Sequence, residues 1–407
     1  MNDILKNEYD EIKLLENTKG SICILDKTWI KCNQLSIGSH SISKSNHLAH
    51  LTTNSKTKVY TLDKDNSNMI LRNKYSQFKD VSYIKMASVF HGLCKAHDDI
   101  YYPIDKNFDY SNKSHLLLLA QRQVLYEYKK KEEVLKCFKR VKSILDNVKI
   151  FKITQYYKNI YAMIYKHIIE RISFIEAVSE DLKQDINKFK EEFDIILRKT
   201  NKSESGMAQF KDNIKSEYIY TSIKFKNKFE FSFSSLFAPK YSFNGDLIYP
   251  NLNNIKHDLK TPCIGLINDK DHSYFYCICI NNEENMKLID SLTTEINSNI
   301  NTLLKCALMT DNTFYSEDFF NLCKKSPTPI TVFNREIDNK IKNLNLDTID
   351  KLIGYLYLQD SINLTSSTVI NGVIIDGELL RVKNLKTIDH LGLLNTNDIE
   401  DIIISYK

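Results

Sequence analysis

The sequence predicts a multidomain α+β protein in three parts: a small zinc-bound segment over residues 1–110, a helical hairpin or bundle over 111–206, and an α+β domain over 207–407. Three observations predict it. Cysteine and histidine gather near the start of the chain. Apolar residues then recur at helical spacing, with no proline between residues 112 and 200. Strict period-two alternation begins after residue 206. A chain of 407 residues exceeds the roughly 250–300 at which one hydrophobic core stops growing, so several units are expected.

Residues 1–20 read as a short amphipathic helix ended by Gly20. Residues 21–110 are polar, with short strand-like pieces such as Val59–Leu62 and no long helical period. Ser41 and Ser43 suit the cap of a short helix over Lys44–Leu51. The helical region follows. Its first run carries Leu118, Val124, Leu125, Val134, Leu135, Phe138, Val141 and Leu145. A second carries Ile153, Tyr156, Ile160, Ile164 and Ile168, and a third Val178, Leu182, Ile186, Phe189, Phe193 and Ile196. Three or more helices in antiparallel hairpins are expected, with Lys129–Lys131 on a solvated face. His115 and His167 are lone histidines of structural character.

After the polar break at 201–206, Phe229, Phe231 and Phe233 alternate with polar residues, and Tyr218, Tyr220 and Ile223–Phe225 behave alike. Pro262–Asn268 and His272–Ile280 flank an Asn-Asp-Lys-Asp turn and read as a β-hairpin. A helix is expected over Glu284–Leu304 and another over Thr348–Leu358. A strand over Val369–Ile375 and a last helix over Asn397–Ser405 complete the expectation.

Composition excludes several classes. The longest apolar run, Tyr274–Ile280, is too short to span a bilayer, so no membrane partner is expected. The first residues mix acids and lysines without an apolar core, so no secretory signal is read and a cytoplasmic location is expected. Nine cysteines, an odd number, favour a reducing compartment over a disulfide framework. The net charge of +5 is mildly basic, but arginine, the residue of bidentate phosphate contacts, is scarce. No GxGxxG, P-loop, GxSxG or HExxH motif is present.

One region carries chemistry. His40, His47, His50, His91 and His97 all fall in residues 21–110, together with Cys23, Cys32 and Cys94. Zinc takes four nitrogen or sulfur ligands in a tetrahedron. Cys23, Cys32, Cys94 and His97 fit that scheme; Cys94-x2-His97 has the usual short gap, and Cys23-x8-Cys32 is longer than the usual two to four. The alternative is two buried cysteines and an unrelated Cys-His pair. Cys263, Cys277, Cys279, Cys306, Cys323 and Cys137 lie in apolar or helical contexts and read as small buried hydrophobes.

A cysteine knuckle, then His40-Ser41-Ile42, then Cys94-x2-His97-Asp98, resembles the HNH endonucleases, which are ββα-metal nucleases on a treble-clef zinc scaffold. The resemblance spans residues 21–105. The strings SHSISKS and FHGLCKAHDDIYYPID also resemble a recurrent N-terminal signature of bacterial proteins with helical and α+β parts downstream. The resemblance implies structural Zn²⁺ on Cys23, Cys32, Cys94 and His97. It implies His40 as the water-activating base and Asp98 at the second catalytic position, with Mg²⁺ or Mn²⁺ against a DNA or RNA phosphate. The family carries an acidic residue before the base; this chain has Ser39. His47, His50 and His91 are candidate substitutes for that ligand. By analogy, a nuclease fused to a large accessory domain fits antiphage defence, with a protein partner met by the C-terminal domain. The competing expectation is a zinc-stabilised module that binds nucleic acid or protein without cutting.

Overall fold

The computed structural model describes residues 22–25, 32, 35–45, 47–52, 58–62, 78–81, 84, 87–146, 155–196, 207–210, 217–237, 262–298, 302–303, 306–307, 312–319 and 399–404. The strands in chain order are β1 (Ile37–His40), β2 (Val59–Leu62), β3 (Phe78–Val81), β4 (Val89–Leu93), β5 (Phe193–Ile196), β6 (Met207–Phe210), β7 (Tyr218–Phe225), β8 (Phe231–Leu236), β9 (Cys263–Asn268), β10 (Ser273–Ile280), β11 (Thr313–Tyr315) and β12 (Ile399–Ile404). The helices are α1 (Lys95–Asp98), α2 (Tyr102–Lys106), α3 (Lys113–Asp146), α4 (Gln155–Glu192) and α5 (Glu283–Ser298). The fold is mixed α+β.

The centre is an eight-stranded antiparallel sheet in the order β12-β7-β10-β9-β8-β11-β2-β3. The β9–β10 hairpin turns where the Asp269 amide meets the His272 carbonyl at 3.0 Å. Both sheet faces are covered, which is why whole strands are buried rather than every second residue. Tyr274, Tyr276 and Ile278 face one core with Leu116–Leu119, Val124 and Leu125 of α3. Phe275, Cys277 and Cys279 face the other with Leu288, Ile289, Leu292 and Ile296 of α5. The alternation along β10 assigns the two cores.

Helices α3 and α4 form the predicted antiparallel pair. Lys139 bridges to Glu176 at 2.6 Å, and the Tyr165 hydroxyl donates to Asp146 at 2.6 Å. Asn112 caps α3 through its side-chain oxygen, which accepts from the Ser114 amide at 2.9 Å.

Several expectations are corrected. Two long helices, not three or more, occupy the described part of residues 111–206. Lys129 and Lys131 are 2% and 8% exposed, because α3 is covered on more than one side here; Lys129 pairs with Glu132 at 3.3 Å. The α5 helix ends at Ser298. The short helix expected over Lys44–Leu51 is a 3₁₀ turn at Leu48–Leu51. Residues 399–404 are a strand, not a helix: the β-branched run Ile402–Ile404 adds to the β7 edge, with Ile403 opposite Ser222. The helix expected over residues 1–20 and the elements expected over 348–358 and 369–375 lie outside the described residues.

The sheet also takes strands from residues 1–110. Tyr60 of β2 pairs with Tyr315 of β11, and β3 closes that edge. The core that holds α3 against the sheet continues without a break to Cys23, Cys32 and Cys94.

Candidate metal centre

Cys23 sits in a turn beside a β-bridge between Ile22 and Leu35. The Ile24 amide donates to the Gly92 carbonyl at 2.8 Å and ties this turn to β4. Gly92 is required there, since a Cβ would stand 2.7 Å from Ile24 Cδ1 and 2.8 Å from the Phe90 ring. At the end of β4, Cys94 is the N-terminal cap of α1, and its carbonyl accepts from the amides of His97 and Asp98. Three residues on, one helical turn returns His97 to the same side.

These pieces converge. Cys23 Sγ lies 3.2 Å from His97 Nδ1, Cys32 Sγ 3.0 Å from Cys94 Sγ, and Cys94 Sγ 3.4 Å from His97 Nδ1. All four ligand atoms lie within 4.8 Å of one another, and all four residues are buried. Tetrahedral zinc with ordinary bond lengths sets ligand–ligand separations of about 3.6–3.8 Å. The donor set therefore fits a zinc ion. Burial pushes the Cys23 thiol up to about 12 and raises Cys94 as well, so without a cation these sulfurs stay protonated. With all four as ligands, the coordination sphere of a bound ion would be closed, as in structural zinc sites.

The antiparallel strand pair β1–β4 leads away from the cluster. His40 pairs with Val89 and Ser39 with Phe90. Directly paired residues share a face. Phe90 is buried with its ring edge against Tyr126 of α3, 5.7 Å between centroids, so Ser39 faces inward. His40 therefore faces the other way, with Val89. Gly38 shares that side, since a Cβ on it would meet Val89 and His91. One face of the pair thus carries His40 and His91, while the other presents Ser39 to α3.

Asp98 belongs to the inner side, where the Ser39 hydroxyl stands beside its carboxyl. Burial raises the Asp98 pKa, against a smaller opposing pull from the Arg122 charge. His40 and Asp98, paired as catalytic residues by the resemblance, are thus on opposite faces of the β1–β4 pair.

Arg122 organises this interior. It is 2% exposed and donates to both carboxylate oxygens of Asp105, at 2.7 Å each. Its guanidinium lies 4.5 Å over the Tyr101 ring, and the Tyr101 hydroxyl donates to Gln121 at 2.9 Å. Sequence reasoning missed Arg122, although a guanidinium inside the run from Leu116 to Leu125 signals a buried ion pair. Nearby, His47 Nδ1 donates to the Asn268 carbonyl at 2.9 Å, so the ring is the neutral Nδ1–H tautomer. His115 accepts from the Asp109 amide at 3.0 Å, a local structural role.

Just beyond His40 the chain is clamped. The Ser41 amide donates to the Ser88 carbonyl at 2.9 Å, and the Ser88 hydroxyl donates to the Ile42 carbonyl at 3.0 Å. Ser88 has a φ of 57°, a left-handed conformation that a non-glycine residue adopts at a cost of about 1 kcal/mol. The side chain of Asn312 reaches across from the start of β11 to the Ser41 hydroxyl. Among the described residues, no helix is long and apolar enough to cross a membrane. Comparison with protein-family models, with curated proteins and with solved structures gives no match, so the reading of this centre rests on its own geometry.

Proposed function

We propose that the protein is an HNH-like nucleic-acid-cleaving module on a structural zinc centre, with His40 as its working base. One observation carries the reading: the order of parts around the Cys23-Cys32-Cys94-His97 cluster. A cysteine turn comes first, then β1, and, after an insertion that holds β2 and β3 of the large sheet, the antiparallel partner strand β4, which runs into a helix whose first turn supplies Cys94 and His97. Apart from that insertion, the order resembles the plan of a treble clef. His40 stands at the end of the first strand, on the same face of the pair as Val89, half-buried with its Nε2 shielded from solvent. Zinc would supply folding free energy and fix the strand pair.

A second ion, Mg²⁺ or Mn²⁺, has no ready-made ligand set. Among the described residues, one group of three or more ligand side chains is present, and it is the cysteine–histidine cluster. Asp98 lies by Ser39, on the opposite face of the strand pair from His40. That same placement favours a second reading, a zinc-stabilised module that binds nucleic acid or protein without cutting.

The two readings separate on purified, zinc-loaded full-length protein. Single- and double-stranded DNA and RNA are incubated with Mg²⁺ or Mn²⁺, and His40→Ala is compared with the native chain. The nuclease reading expects cleavage that falls by about 10²–10⁴-fold in the variant, with zinc content and melting temperature unchanged. Binding without cleavage under every condition would leave the second reading in its place.

A further inference from the structure

We propose that Asn312 is a positioning residue through which the C-terminal sheet sets the place of His40. The chemical meaning of the inference rests on the reading of His40 as the base. Its structural content does not.

The observations are local and mutually consistent. His40 pairs with Val89, and the next residue, Ser41, donates its amide to the Ser88 carbonyl at 2.9 Å. The Ser41 hydroxyl donates to that same carbonyl at 3.3 Å. Its lone pairs then face the interior, where the Asn312 amide nitrogen donates to it at 2.9 Å. The second proton of that amide goes to Gln123 Oε1 on α3, at 3.3 Å. Gln123 in turn donates to Glu127 at 3.0 Å. One side chain from β11's start therefore joins the His40 turn to the long helix.

Asn312 is itself immobilised. Its carbonyl accepts from the Ser234 amide at 3.2 Å, and the next residues, Thr313 to Tyr315, pair with β8. Ser41, Ser88, Gln123 and Asn312 are all buried. A buried amide with two acceptors is rigid, and its loss leaves those acceptors without a donor. The turn after His40 would then be held by Ser88 alone, without its tie to β11 and α3, and would shift relative to them. Displacements of about 1 Å at a reacting group cost about 10²-fold in rate.

None of these groups is a zinc ligand or a neighbour of one. The effect on His40 is therefore separable from the metal. The clamp also explains why a left-handed Ser88 is retained: its hydroxyl and carbonyl are both used to hold residues 41 and 42.

The test uses zinc-loaded full-length protein labelled with ¹³C and ¹⁵N at histidine, with the His40 signals assigned through His40→Gln. Asn312→Ala should move the His40 ring signals and their titration midpoint, while the signals of His97 and the zinc content stay in place. Ser41→Ala removes the acceptor with little change in volume, and should move the same signals if Asn312→Ala does not fold. His40 signals that stay where they are in the variant that folds would overturn the proposal, as would equal shifts across all histidines. Where the native protein cleaves nucleic acid, Asn312→Ala should lower kcat by about 10²-fold with KM unchanged. Cleavage with unaltered kcat overturns the positioning role and spares the nuclease reading. A shifted His40 in a protein that never cleaves does the reverse.

Discussion

Cys32 and Cys94 bring their sulfur atoms to 3.0 Å across 62 positions of sequence. Two thiols this close, with Cys23 and His97 beside them, form a group that could hold a metal ion. The native protein should therefore carry about one zinc ion per chain by elemental analysis. Cys94→Ser should abolish it and expose the Ile24–Gly92 bond to hydrogen exchange. A metal-free protein of unchanged stability would remove the centre.

The buried Arg122 and the half-buried Asp105 form an ion pair with both carboxylate oxygens engaged. Arg122→Ala leaves a half-buried carboxylate without its partner, a change that should lower stability by about 1–3 kcal/mol. Arg122→Lys should recover only part, because an ammonium lacks the planar fork. Urea unfolding of the three proteins measures both. Equal stability of Arg122→Ala and the native chain would show that the pair is not an anchor.

Acid should weaken the fold through His47. Burial, its largest influence, lowers the His47 pKa from 6.5 despite Asp105 nearby; Arg122 and His50 press the same way as burial. Above 6.5 the ring is neutral in both states, and its contribution is constant. Below 6.5 the unfolded chain takes up a proton that the folded ring refuses. Stability then falls with pH, by at most about 1.4 kcal/mol per unit for this residue, until the lower folded pKa is reached. His50 and His115 are lowered in the same sense. His47→Gln should make the decline between pH 6.5 and 5 shallower. An identical slope in the variant would assign the acid sensitivity elsewhere.

Residues 113–407 made alone should not fold to the native sheet. They lack β2 and β3, and they expose the face of α3 that packs against Phe90, Leu93 and Tyr101. Size-exclusion chromatography and proteolysis of the fragment check this. A monomeric, protease-resistant fragment would show that the shared core is dispensable.

Some of this was legible residue by residue. Cys94-x2-His97 is a one-turn spacing, so its convergence needs no tertiary information. The alternation of Phe229, Phe231 and Phe233, and the turn between Asn268 and His272, named their strands for the same local reason. The burial of Lys129 was not legible, because a charged run gives no sign of what covers it. The terminal Ile399–Ile404 strand was not legible either: an isoleucine run suits helix or strand, and the unpaired edge of β7 decided it.

The sequence by itself determined the residue types of the candidate metal centre, the helical character of residues 113–146 and 155–192, and the strands β2, β7, β8, β9 and β10, since these follow from local composition and spacing. The tertiary structure decided which side of the β1–β4 pair each residue serves. The pairings of Ser39 with Phe90 and of His40 with Val89 turn Ser39 toward Asp98 and Arg122, and turn His40 away. That outcome depends on register, and a slip of one residue in a strand exchanges its faces. It also decided that residues 59–62 and 78–81 join the C-terminal sheet, because strand partners are chosen by the hydrogen-bonding edges that the folded core leaves open.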